Sequence, residues 1–113
     1  MPSTAIDRAT FAELQATAGA DFVAELIDTF LEEAPPMLAE LRESLAANRA
    51  EAFRRAAHSL KSNASTFGAS TLAAMARELE LGGIDAARAS GGLGPLAEQY
   101  ARVAGELKAL RDG

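Results

Sequence analysis

Residues 53–67 read FRRAAHSLKSNASTF, and the apolar positions within this stretch decide the fold. They recur at spacings of four, three, four and three residues: Phe53, Ala57, Leu60, Ala64 and Phe67. Because an α-helix turns once in about 3.6 residues, this spacing aligns them along one face. The stretch is therefore predicted to be a helix that packs this seam against other helices.

The rest of the chain is also typical of helices. Alanine, leucine and glutamate dominate, aromatic residues make up only 5%, and no segment alternates with a period of two. Long helices with short connections pack antiparallel, so we predict one all-α domain over residues 1–113. Its architecture is an antiparallel four-helix bundle with an additional short N-terminal helix. The predicted helices cover residues of about 8–18, 22–47, 49–67, 70–81 and 95–111.

Capping residues set several of these boundaries. Asp7, Asp21 and Asn48 are expected N-caps, because their short side chains can accept hydrogen bonds from free backbone N–H groups. Glu51, three residues after Asn48, would complete a capping box. The second helix is expected to turn three apolar residues of its first turns inward: Phe22, Leu26 and Phe30.

Two features interrupt the helical pattern. Pro35-Pro36 falls inside the second helix, but a seven-residue step of leucines continues across it, so one helix kinked at the prolines is expected. Gly82-Gly83 is expected to stop the fourth helix. Residues 82–94 hold five of the nine glycines and are predicted to form a loop, with room for one helical turn at residues 85–88.

Composition excludes several classes of function. The 113 residues contain no cysteine, which excludes disulfides, thiol catalysis and iron–sulfur centres. One histidine without cysteine does not make a metal site, so no metal and no cofactor are expected. A net charge of −5 disfavours nucleic acid and anionic membranes as partners. The absence of a long apolar run and of a signal-peptide pattern favours the cytoplasm.

His58 is the only histidine, and its position on the helix is informative. It lies about 140° from the centre of the apolar seam, so its imidazole is expected to face solvent. Between residues 49 and 68, four basic residues accompany one acidic residue. A basic face around a titratable group suits a small anion such as phosphate, although a lone exposed histidine is usually only solvated. The residues expected on the same side are Arg54, Arg55, Lys61, Ser62 and Ser65.

The sequence around this histidine resembles the histidine-containing phosphotransfer (HPt) domain of multistep two-component phosphorelays. That family shows the pattern A-H-x-L-K-G, then a G-A pair, then a helix ending in L-E. Here the matching residues are 57–62 (AHSLKS), Gly68-Ala69 and Leu79-Glu80, with a weaker likeness over residues 26–45. Ser62 stands where the family most often has glycine, and Ala76 where many members have cysteine; both replacements are small.

The resemblance implies a role for each matching residue. His58 would accept a phosphoryl group on Nε2 from a receiver-domain aspartyl phosphate and pass it to another receiver. Lys61 would neutralise phosphoryl oxygens, and Glu80 would bond Nδ1, although it could equally be a surface acid near a helix end. Ser62 and Gly68 would keep the docking face uncluttered. The neighbouring cations Arg54, Arg55 and Lys61 would favour the neutral imidazole.

The resemblance also implies partners and leaves two alternatives. Response-regulator receiver domains and an upstream hybrid histidine kinase are the expected partners, with Mg²⁺ held in the receiver rather than here. The protein would be a monomeric, stoichiometric carrier, and the chain has no nucleotide-binding motif for autokinase activity. The alternatives are a non-catalytic helical adaptor and the dimerising phosphoacceptor module of a histidine kinase.

Overall fold

The computed structural model describes residues 5–113 and contains five helices. They are α1 (Arg8–Ala18), α2 (Ala20–Ala47), α3 (Ala50–Thr66), α4 (Ser70–Ala89) and α5 (Gly94–Asp112). α2 to α5 follow one another around a four-helix bundle: α3 packs between α2 and α4, and α5 closes the bundle against α2 and α4. α1 packs on α2. The predicted all-α bundle with an extra N-terminal helix is therefore confirmed.

The seam of α3 forms the centre of the core. Phe53, Ala57, Leu60 and Ala64 are fully buried, and Phe67, just after the helix, is almost so. The ring of Phe67 packs on that of Phe30 from α2, with centroids 5.4 Å apart. Removing this apolar surface from water is what holds α3 between its neighbours.

α2 is a single helix through both prolines, but its buried face differs from the expected one. Phe22 is 52% exposed, whereas Val23 and Ile27 are buried. Residues 22, 26 and 30 and residues 23, 27 and 30 both satisfy helical spacing, so the pattern did not distinguish them. The prediction for Phe22 was wrong because the packed stripe starts one residue later.

Two expected caps have other roles. Asp21 lies in the first turn of α2, and Gly19, at φ 94°, occupies the N-cap position. Asn48 is left-handed (φ 59°, ψ 42°) and ends α2 instead of starting α3, whose N-cap is Arg49. A short asparagine tolerates this conformation better than most residues, and Arg88 donates a hydrogen bond to its Oδ1.

The stop predicted at Gly82-Gly83 is present as a break inside α4, and the helical turn expected at residues 85–88 follows it, so the loop predicted over residues 82–94 is shorter than expected. Gly83 does leave the helical conformation, at φ 72° and ψ −164°, but the chain re-enters a helix and continues to Ala89. Ile84 and Ala87 are buried, so this second part of α4 has its own apolar face on the core. The connection to α5 is therefore only residues 90–93.

Candidate functional site

His58 projects from the outer face of α3. Its neighbour Ala57 is fully buried, and so is Leu60, while the His58 side chain is 55% exposed. The seam therefore fixes the helix rotation that turns the imidazole outward. The sequence prediction that this ring stands clear of the core is confirmed.

α4 brings a carboxylate to the inner nitrogen of the imidazole. Glu80 Oε2 lies 2.7 Å from His58 Nδ1, and the glutamate side chain is only 13% exposed. An ionised carboxylate only accepts hydrogen bonds, so Nδ1 is the protonated nitrogen of the neutral imidazole. Nε2 then carries the lone pair. The contact implied by the resemblance is thus present in the structure.

The same carboxylate also holds Lys61. Lys61 Nζ lies 2.9 Å from Glu80 Oε1, and the lysine side chain is 28% exposed. The ammonium of Lys61 lowers the pKa of Glu80, the contact with His58 lowers it further, and partial burial opposes both. Glu80 is therefore ionised at neutral pH. Because Lys61 balances the negative charge of Glu80, the carboxylate can accept a hydrogen bond from the imidazole without acting on it as an unpaired anion.

The two arginines of this face differ in their partners. Arg54 donates from Nε and Nη2 to the two carboxylate oxygens of Glu51, at 3.2 and 2.5 Å. Within residues 5–113, Arg55 forms neither a salt bridge nor a side-chain hydrogen bond. Glu51, expected in a capping box, instead neutralises a cation of the site; its i, i+3 spacing to Arg54 was the available signal.

The small residues of the predicted docking face divide into two groups. Ser62 and Ser65 are exposed on α3 beside His58. Gly68 is buried, and its carbonyl accepts a hydrogen bond from the Asp7 backbone N–H at 2.8 Å. A Cβ at position 68 would lie 2.9 Å from Thr10 Cβ. The start of α1 directly against Gly68 is thus a reason for its small size, and its docking role stays a prediction.

Ala76, where the sequence departs from the family pattern, lies fully buried in the core. The departure therefore does not reach the surface around His58. Among residues 5–113, no three histidine, aspartate or glutamate side chains come together as metal ligands. None of the five helices is long and apolar enough to cross a membrane.

Comparison with protein families identifies the family to which this site belongs. The family model of the Hpt domain matches residues 25–113, which includes most of α2 and all of α3, α4 and α5. The matched region thus contains the histidine and the two side chains grouped with it. No curated protein and no solved structure matches the chain.

Proposed function

The chain belongs to the Hpt domain family, and on that premise we propose that His58 is the residue that carries the phosphoryl group. Hpt domains are histidine phosphotransfer modules that interact with receiver domains and kinases in phosphorelays. The observation that supports His58 is the contact between its Nδ1 and Glu80 Oε2, at 2.7 Å on an exposed ring. It leaves Nε2 as the nucleophilic nitrogen.

In the proposed reaction, Nε2 attacks the phosphorus of a receiver's aspartyl phosphate. An N–P bond forms, the bond from phosphorus to the aspartyl oxygen breaks, and the aspartate leaves as a carboxylate. No proton has to move, because Nδ1 keeps its hydrogen. The phosphorylated imidazole then carries a positive charge that the carboxylate of Glu80 stabilises. The reverse sequence passes the group to a second receiver.

Glu80 is a positioning residue in this proposal, and Lys61, three positions after His58 on α3, is the cation that neutralises the transferred group. Lys61 is paired with Glu80 Oε1 and its side chain is 28% exposed, so its ammonium is held on the His58 side of α3 and is still accessible to phosphoryl oxygens. Neutralising those oxygens while the donor and acceptor are held in line supplies most of the catalysis in phosphoryl transfer. The Mg²⁺ required for the exchange is expected in the receiver.

The carrier role is tested by transfer of labelled phosphate. The receivers of the source organism are phosphorylated one by one and mixed with the protein and Mg²⁺. One of them is expected to transfer label that acid removes and base does not, because an N–P bond is acid-labile and a serine phosphate is not. His58→Gln is expected to abolish labelling with an unchanged circular dichroism spectrum, whereas the control Ser62→Ala retains it.

The alternatives predict other results. A non-catalytic adaptor accepts no label from any receiver, and a label that persists in His58→Gln would place the phosphoryl group elsewhere. For the dimerising kinase module, light scattering would give a mass near twice 11.7 kDa. We expect a monomer, because a single chain supplies four packed helices, whereas the kinase module needs two chains to make its bundle.

A further inference from the structure

A groove lies on the α2 side of His58, opposite the Lys61–Glu80 pair. It has a volume of about 390 Å³ and is open to solvent. Two of its lining residues, Arg55 and Ser59, stand three positions before and one after His58 on α3. A partner that reaches the imidazole therefore covers this groove as well. The lining residues are Pro36, Met37, Glu40, Arg55, Ala56 and Ser59.

The walls of the groove present apolar and polar surface in about equal parts. Pro36 and Met37 supply most of the apolar part, because Ala56 is buried at the base, and Pro36 has no backbone N–H to offer. The thioether of Met37 can adapt to different shapes, and its sulfur lies 3.9 Å from Asn63 Nδ2 at the edge of the site. Neither Ala56 nor Ser59 is large enough to fill the space between the two helices.

The rim of the groove carries two charges that the described part of the chain does not pair. Arg54 is neutralised by Glu51 and Lys61 by Glu80, but Arg55 has no such partner within residues 5–113. Across the groove, Glu40 also forms no salt bridge there. A guanidinium matches a carboxylate through two parallel hydrogen bonds. A partner that places a carboxylate beside Arg55 and no carboxylate beside Glu40 can therefore bind in only one orientation.

From this arrangement we infer that the groove determines which receiver docks. The receiver places an acidic side chain on Arg55 and packs the apolar stem of a neighbouring side chain against Pro36 and Met37, while Glu40 repels the opposite orientation. This inference rests on the proposed function and adds to it a chemical description of the partner. The α4 side of His58 then contributes to phosphoryl transfer, and the α2 side contributes to recognition of the receiver.

The test separates docking from chemistry. The receiver with the fastest transfer is used for the docking measurement, and phosphoramidate, a small phosphate donor that needs no docking, labels His58 directly. Arg55→Glu is expected to lower kcat/KM with the receiver about tenfold. Phosphoramidate labelling, which needs no docking, is expected to change by about twofold or less, because only the charge near the imidazole differs. The matched control Arg102→Glu, on the exposed surface of α5, changes the charge equally and is expected to leave both rates unchanged.

A compensating change identifies the contact. If the receiver's acidic residue opposite Arg55 is replaced by lysine, transfer to Arg55→Glu is expected to recover most of the loss. Transfer by Arg55→Glu within twofold of the unchanged protein would overturn the groove proposal and leave the proposed function standing. A protein that takes label from phosphoramidate but from no receiver would refute the proposed function, and the groove proposal with it.

Discussion

Replacing Glu80 with alanine tests whether this carboxylate positions the imidazole. The substitution removes the acceptor 2.7 Å from His58 Nδ1 and releases Lys61 Nζ from its partner at 2.9 Å. The fold is expected to persist, because Glu80 lies outside the core and α4 is held by buried residues such as Leu79. The effect should therefore appear in the site and not in the circular dichroism spectrum.

The size of the effect follows from the hydrogen bond that is lost. A hydrogen bond to a charged group contributes about 1.5–3 kcal/mol, and the lower end applies here because the imidazole is more than half exposed. About 1.4 kcal/mol corresponds to a factor of ten in a population. Without Glu80, the positive charge that develops on the imidazole during transfer loses this stabilisation, and receiver-dependent transfer is expected to fall about tenfold. The accompanying shift in the tautomer ratio lowers the reactive fraction by only about twofold. Glu80→Gln keeps an acceptor but no charge, so a loss of about threefold is expected.

Two measurements check this reasoning. Transfer kinetics give the rate, and ¹⁵N chemical shifts of the imidazole give the tautomer, without overlap because His58 is the only histidine. The control is Glu78→Ala, which removes an exposed glutamate of α4 that lines a different cavity, next to Met75 and Leu96. If Glu80→Ala transfers within twofold of the unchanged protein and its imidazole shifts stay the same, Glu80 does not position His58.

Four further predictions follow from the same structure. Lys61→Ala is expected to slow transfer about tenfold without unfolding the bundle, and a normal rate would make this lysine a solvated surface residue. Ser62→Trp is expected to block receiver transfer but not phosphoramidate labelling; unchanged transfer would mean that the receiver approaches from another side. Gly68→Ala combines a φ of 79° with a 2.9 Å contact to Thr10 Cβ, so a loss of about 2–4 kcal/mol in the free energy of unfolding is expected. For Gly83→Ala the added Cβ meets no atom within 4 Å, and only the backbone strain at φ 72° and ψ −164° remains, so a loss of about 1–3 kcal/mol is expected. In the folded state, Lys61 lowers the pKa of Glu80. The stability that Glu80 adds is therefore present above the ordinary pKa of a glutamate and is lost as the pH falls through the lowered pKa of the folded state. The difference in unfolding free energy between the unchanged protein and Glu80→Gln is expected to disappear in acid.

Sequence periodicity was sufficient to predict the buried face of a helix where only one set of apolar residues fitted the helical spacing. The seam from Phe53 to Phe67 fixed both the core of α3 and the outward direction of His58. On α2, two stripes one residue apart satisfied the same spacing, and only packing against neighbouring helices, α1 and α5 around Val23, decided that Val23 is buried and Phe22 exposed. Local patterns could not supply that information, because it depends on where the neighbouring helices lie.

The glycines also show that a local sequence signal does not reveal contacts with distant parts of the chain. Gly82-Gly83 indicated a stop, and Gly83 does leave the helical conformation. The continuation of α4 to Ala89 depends on Ile84 and Ala87 reaching the core, which a turn signal alone does not reveal. Gly68 matched the family pattern, but its small size serves the start of α1, a segment far from it in sequence.

The arrangement around His58 required both kinds of information. Helical spacing on α3 was enough to group Lys61 with the histidine, but whether Glu80 joins them depends on how α4 is aligned along α3. Had α4 been shifted by one turn, Glu80 would lie about 5 Å from its present position and could bond neither His58 nor Lys61. The tight connection between the two helices, where the Ala69 N–H bonds the Ala64 carbonyl at 3.0 Å, holds this alignment. The residues that join α3 to α4 therefore determine the tautomer of His58, and a change in the length of that connection would remove Glu80 from the imidazole while leaving every residue of the site in place.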